Sequence, residues 1–245
     1  MSHWLRSYLL LLRWNLLRLR AVLVSLVAIQ TLIAVGVMIG FSFLVAEPDP
    51  VTALYLATGA PTIGLITVGM VAAPQLVAQQ KAAGTFDYHR AIPVPRLAML
   101  AADATVWVAL ALPGLIAALG VATLRFDLSL AISPWLVPAV LLVAACSVAI
   151  GYGVAYAAKP EVTGAITQAM LLVALMFAPI NYPAEHLPDW LASTHQWLPF
   201  TYMAQAIRES FAVPATGVSP VPFAVLAAWC VVGLGATYKV MTRRN

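Results

Sequence analysis

From Ala21 to Ala46 the chain carries no charged side chain. A run of about 20 apolar residues crosses a bilayer as a helix. Uncharged or nearly uncharged runs recur at Pro50–Gln80, at Leu97–Leu124 with Asp103 as the one charge, at Leu128–Ala158, at Val162–Ala184, and within Ser210–Tyr238. Lipid offers backbone groups no hydrogen-bond partner, so only helices and closed barrels span it. These runs are long and continuous and lack the two-residue alternation of barrel strands, so they read as six helices.

Composition supports this reading and excludes a soluble enzyme. Of the 245 residues, 62% are hydrophobic and 9% are charged, against about 25% charged in soluble domains. Mean hydropathy is +0.92. The net charge of +4 is what cytoplasmic loops of a membrane protein carry, and it does not point to nucleic acid. Cys146 and Cys230 both fall inside apolar runs, so neither a disulfide framework nor a metal site is expected.

The predicted architecture is an all-α membrane protein in two parts. Residues 1–20 form an amphipathic helix lying in the membrane interface. Residues 21–245 form a six-helix transmembrane domain. Arg6, Arg13 and Arg20 recur every seven residues, with Arg18 beside them, while Trp4, Leu5, Tyr8, Leu9, Leu12, Leu16 and Leu19 share much of the other face. That pattern suits a helix lying in the interface. With the N-terminus inside, Arg6, Arg13, Arg18, Arg20, Lys81, Arg90, Arg96, Lys159, Lys239, Arg243 and Arg244 are cytoplasmic, and only Arg125 and Arg208 fall outside. An excess of Lys and Arg inside orients membrane proteins, so both termini are predicted to be cytoplasmic. The chain is expected in the inner (plasma) membrane as a multi-pass protein.

Two polar stretches interrupt the spans. Residues 182–211 are too polar for a span and too apolar for a free loop, and Pro183, Pro188 and Pro199 cut them into pieces. Two short re-entrant helices, Leu187–Trp197 and Phe200–Phe211, are predicted there. The other stretch, Gln79–Arg96, is the long cytoplasmic interruption. Phe86, Tyr88 and Ile92 there read as apolar anchors for a docking partner, with Lys81, Arg90 and Arg96 at the rim. Gly84, followed by Thr85, permits a break between two helical pieces. Pro93 and Pro95 end the second piece before span three.

Few residues within the spans are polar. Gln30, Thr31, Thr67, Asp103, Gln168 and Asn181 are the candidates for a translocation path. Each also reads as a hydrogen-bonded link between helices. For Asp103, close to the start of its span, pairing with a cation or with cytoplasmic water is the favoured reading. So sparse a polar lining suits a hydrophobic or amphipathic cargo. Gly36 and Gly40 form a small-residue pair in span one, suited to close packing within the chain or to a second copy. Gly151 and Gly153 lie in span four. His186 and His195 have no metal-ligand spacing, and H-E-x-x-H, the P-loop and G-x-S-x-G are all absent. Without a P-loop the chain cannot hydrolyse ATP by that route, so energy for any transport must arrive from elsewhere.

Two motifs carry a resemblance. Gln75–Arg96 has a polar helix, then Gly84-Thr85-Phe86, then the run Pro93-Val94-Pro95-Arg96. Further on come Pro183, Glu185, Pro188, Pro199, Tyr202 and Arg208 in order. With six spans between cytoplasmic termini, the chain resembles the permeases of ABC type-2 transporters, with a type V exporter-like fold, over nearly its whole length. Where the family's polar helix is often acidic before its Gly-Thr pair, this chain has Gln79, Gln80 and Lys81. The resemblance implies a coupling helix between spans two and three. It also implies a soluble ABC ATPase partner, a second permease copy or a related chain, and export. ATP and Mg would sit on the ATPase and no cofactor on this chain, with drugs, lipids or lipid-linked glycans as cargo classes. The rivals are a membrane-embedded lipid-modifying enzyme, which needs a convergent nucleophile, acid and base, and an ion-coupled carrier, which needs several buried carboxylates or histidines.

Overall fold

A computed structural model describes residues 3–44, 49–84, 94–126, 133–211 and 217–242. All regular structure among these residues is helical. The elements are α1 (His3–Leu44), α2 (Pro50–Ala82), α3 (Arg96–Phe126), α4 (Leu136–Ala157), α5 (Pro160–Phe177), α6 (Asp189–His195), α7 (Pro199–Phe211) and α8 (Pro220–Thr242). Helices α1, α2, α3, α4, α5 and α8 are long and apolar enough to cross a membrane.

Among the described residues, the N-terminal helix expected over residues 1–20 is continuous with the first span. Helical hydrogen bonding runs unbroken from His3 to Leu44. Nothing around Arg20 breaks it, since the local residues are Leu, Arg and Ala, which are good helix formers. At 42 residues the helix is about 63 Å long, twice the hydrocarbon thickness, so part of it lies beyond any span. Tyr8 meets Thr105 at 2.9 Å and Asn15 meets Asp103. Seven residues on α1 therefore map onto two on α3, and the first turns of α1 cross α3 rather than run along it.

Helix α2 sits at the centre. Every residue from Leu56 to Met70 is buried, as befits a helix apolar all round. It contains a π-helical turn, Val68–Ala72. There two glycines let α2 and α4 approach: a β-carbon on Gly69 would meet the Ser147 side chain, and one on Gly151 would meet Gly69 O. On the opposite side of α4, Gly233 brings α8 against Ala149. Helices α1 and α2 are antiparallel, with Gln30 beside Gly64 and Met38 clustered with Ala57 and Ala60. The bundle therefore has a near end, where α1 and α3 begin and α2 and α4 finish, and a far end, where these helices are reversed.

Prolines set several boundaries. The expected fifth span, Val162–Ala184, stops early: α5 ends at Phe177, with Ala178 extended. Pro179 is the cause, because a residue before proline is driven out of the helical region. The next segment lies at the far end. A single 3₁₀ turn, Ala184–His186, is followed by α6 and α7. Both helices start directly after or at a proline, close to the limits read from sequence.

Candidate functional site

The near-end polar segment is described at its two margins. Thr85, Phe86, Tyr88, Arg90 and Ile92 lie outside the described residues. Helix α2 stops at Gly84, whose φ of 71° is the left-handed conformation that glycine adopts without strain. The stop is closed by Ala83 N donating to Gln79 O (2.9 Å) and Gly84 N to Lys81 O (3.1 Å). On the other side, Pro95 O accepts from Ala98 N (3.0 Å) and Met99 N (3.2 Å), and Arg96 opens α3.

Each margin is tied to α4. Lys81 Nζ donates to Ala155 O (2.7 Å), Tyr156 O (2.9 Å) and Ala158 O (3.1 Å). These are carbonyls at the C-terminal end of α4, which no helical N–H reaches. A cation there also meets the negative end of the helix dipole. The Lys81 donors are thus engaged within the chain. Seven residues into α3, Asp103 accepts from Asn15 Nδ2 of α1, and the Tyr152 hydroxyl of α4 and Arg18 both lie within electrostatic reach. Trp107 donates in turn to Tyr152, and Tyr152 and Tyr156 have ring centroids 6.0 Å apart. Asp103 is therefore held by neighbouring helices rather than open to a cavity. The last turns of α4 and its cap, Tyr152 to Ala158, receive both margins.

The other path candidates are scattered. Gln30 is buried and its Nε2 donates to Gly64 O at 2.7 Å, linking α1 to α2. Thr67 bonds back to Ile63 O within its own helix (2.7 Å). Thr31 is partly covered on α1, and Gln168 is exposed midway along α5. Asn181 is buried at the far end, 3% exposed. They do not converge on one channel inside this chain. Gly36 and Gly40 face open space, with no atom within 4 Å of an added β-carbon, so they make no close packing within the chain. An open groove of about 350 Å³ runs between the near ends of α2 and α5, lined by Gln75, Ala78, Gln79, Ala82, Glu161 and Gly164.

Sequence reasoning missed three features. Lys81 acts as a cap for a helix some 75 positions away. Cys146 and Cys230 are both buried and free, and they neighbour each other across the α4–α8 contact. Arg208, noted only as an outlying charge and a motif member, lies over the Tyr55 ring with 3.5 Å from Cζ to the centroid. No signal in one sequence marks the first two pairings, because each depends on how distant helices pack. Among the described residues, no group of three His, Cys, Asp or Glu is arranged to hold a metal ion.

A comparison with curated proteins found no match. A comparison with family models gave one described as ABC-2 type transporter, covering residues 7–212. That range takes in all the described helices except α8, both margins of the polar segment and the far-end helices α6 and α7, so the chain belongs to the ABC-2 type transporter family.

Proposed function

We propose that this chain is the membrane-spanning subunit of an ATP-driven exporter, with an ABC ATPase docked on its near end and a hydrophobic or amphipathic cargo moved outward. Membership of the family implies a multi-pass transport subunit that associates with an ABC ATPase and dimerises. Export, the docking residues and the cargo class are our reading. The near end is the cytoplasmic one in it, in keeping with the bias of Lys and Arg, and the membrane is the plasma membrane.

The observation that carries this reading is that the described residues on either side of 85–93 are each tied to neighbouring helices, Lys81 to the end of α4 and Asp103 to α1 and α4. A push on that segment is delivered before it to Lys81 and α4's final carbonyls. It is delivered after it to Asp103, and from there to Tyr152 of α4 and Asn15 of α1. Both margins are bonded to neighbouring helices, which gives a push a route into the bundle. Phe86, Tyr88 and Ile92 supply the apolar contacts with the ATPase, Arg90 and Arg96 the charged rim, and Gly84 with Thr85 the break that lets the segment turn. Lys81 holds the segment's base. ATP and Mg bind the partner.

A second copy of the chain, or a related one, completes the passage. Gln168 turns a polar side chain outward midway along a span, and Gly36 and Gly40 leave an open strip on α1. Lipid suits the first poorly, and small residues suit close helix approach. The path then runs between copies, with Gln168 and Thr31 nearer to it than Gln30, Thr67 and Asp103, whose polar groups are bonded within the chain.

The test is co-purification of the chain with its ABC ATPase, followed by ATP-driven movement of a fluorescent amphiphile in vesicles. Phe86→Ala with Tyr88→Ala is expected to abolish movement while the chain still inserts. Undiminished movement in that double variant contradicts docking at this segment.

A further inference from the structure

Among the described residues, the enclosed side-chain N and O atoms without a hydrogen-bond partner are Asn181 Nδ2 and Oδ1, His195 Nδ1, Thr201 Oγ1 and Arg208 Nε. All lie in the far-end segment between α5 and the end of α7. Buried polar atoms are nearly always paired, so a cluster of exceptions in one short segment calls for a cause.

Arg208 is the charged member. The Tyr55 ring covers one face of its guanidinium at 3.5 Å, and Nη2 donates to Ile180 O at 2.7 Å. Burial pulls its pKa down to about 10, with Tyr55 and Glu209 acting against that shift, so it stays a cation at neutral pH. Among the described residues no carboxylate is in ion-pair contact with it. Glu209 follows it on the helix, and adjacent helical side chains do not face each other. Glu209 Oε1 accepts from Gln205 Nε2 and Oε2 from Ser219 N, each at 2.7 Å. The Nε–H of Arg208 is left with no acceptor, although the residue as a whole is not fully covered.

Asn181 adjoins this edge through the chain, since Ile180 supplies the carbonyl that Arg208 binds. Its carboxamide lies against Gly59, where a β-carbon would overlap Asn181 Oδ1 and come within 2.9 Å of Ile180 O. Tyr55 and Gly59 are four residues apart and share a face of α2. A stacked cation, an unpartnered Nε–H and an unpartnered carboxamide therefore lie together at the far end of the bundle, the unpaired atoms enclosed and the Arg208 side chain partly open.

Glu209 is within electrostatic reach but makes no ion-pair contact, and a largely buried charge without a bonded counter-charge is much costlier than a paired one. A neutral acceptor or water satisfies the N–H but leaves the charge. An oxyanion does both, and a guanidinium edge matches two of its oxygens. We propose that Arg208, with Tyr55 beneath it and Asn181 beside it, binds the phosphate oxyanion of a headgroup at the far end of the bundle. A phospholipid and a free phosphate share this chemistry. The site does not depend on the export reading, because binding is measured on this chain without an ATPase.

The experiment uses the full-length chain, delipidated in a neutral detergent. Its thermal unfolding is followed with phosphatidylglycerol, with diacylglycerol of the same acyl chains, and with inorganic phosphate. Phosphatidylglycerol is expected to raise the midpoint where diacylglycerol does not, and Arg208→Gln to remove that rise. If inorganic phosphate alone reproduces the rise, the site stands and its ligand is a soluble anion. Asn181→Ala guards against a variant that merely misfolds. Removing an unpartnered carboxamide should leave the ligand-free midpoint unchanged or higher, while binding weakens by about tenfold or more, as for loss of one hydrogen bond to a charged group. Equal response of the wild type to phosphatidylglycerol and diacylglycerol overturns the proposal. So does an unaltered phosphatidylglycerol response in both variants.

Discussion

Replacing Lys81 by Met should loosen the end of α4 before it affects anything else. The ammonium donates three hydrogen bonds, of 2.7, 2.9 and 3.1 Å, to carbonyls at α4's C-terminal end. Hydrogen bonds to a charged group contribute about 1.5–3 kcal/mol, and a cation at a helix C-terminus contributes about 0.3–1 kcal/mol, more when partly buried. The three bonds share one charge and are not additive, and water replaces part of what is lost. We therefore expect Lys81→Met to cost about 2–3 kcal/mol of local stability. Met keeps the apolar stem, which limits the loss to the charge. Lys81→Arg should fall between, since a planar fork does not match three carbonyls converging on one point. The assay is hydrogen exchange of the amides from Val154 to Ala158. A loss of about 2 kcal/mol raises their exchange about thirtyfold if local opening is the route. Unchanged exchange together with lost affinity for the ATPase would refute the anchoring role and return Lys81 to the docking surface.

The remaining predictions are shorter. Gly151→Ala places a methyl group against Gly69 O, with Met70 Cα and Pro74 Cγ each 3.1 Å away, and should cost about 1–3 kcal/mol in denaturant unfolding. Gly153→Ala meets nothing within 4 Å and should be neutral or stabilising by about 0.5–1 kcal/mol through helix propensity. Equal effects at the two positions would contradict the close α2–α4 approach. His195 is buried, and burial holds its pKa below 6.5. An unfolded chain takes up a proton near pH 6.5 where the folded one resists it, so stability should fall as pH drops below 6.5 and level off once the folded imidazole titrates. Thermal unfolding between pH 7.5 and 5 should show this fall in the wild type and a smaller one in His195→Gln.

The spans were readable because the physics that makes them is local. Ala21–Ala46 needs only its own lack of charge to be a membrane helix, and α6 and α7 start where Pro188 and Pro199 allow. The early end of α5 was equally local, yet the uncharged run continues past Pro179 and hid it. Residues 1–20 read from sequence as a separate amphipathic helix. Their continuity with the first span was not legible, because a helix needs no signal to continue, only the absence of one to stop. The site was legible as chemistry and not as geometry. Asp103 stood out as a lone intramembrane carboxylate, but its partners Asn15 and Tyr152 come from helices whose order of packing no residue announces. Lys81 looked like a docking charge because sequence shows a cation in a polar loop and hides the α4 carbonyls it meets. Arg208 looked like an exception to the charge rule, and only the packing of α7 on Tyr55 shows it enclosed.

The proposed coupling requires a soluble ATPase to take hold of the segment between α2 and α3. A photoreactive phenylalanine placed at Phe86, in cells that also make the ATPase, measures that contact directly. Irradiation should join the chain to the ATPase, and the same label at Trp135 on the far end should not. Crosslinking to lipid alone at Phe86, with the ATPase present and folded, would contradict the account.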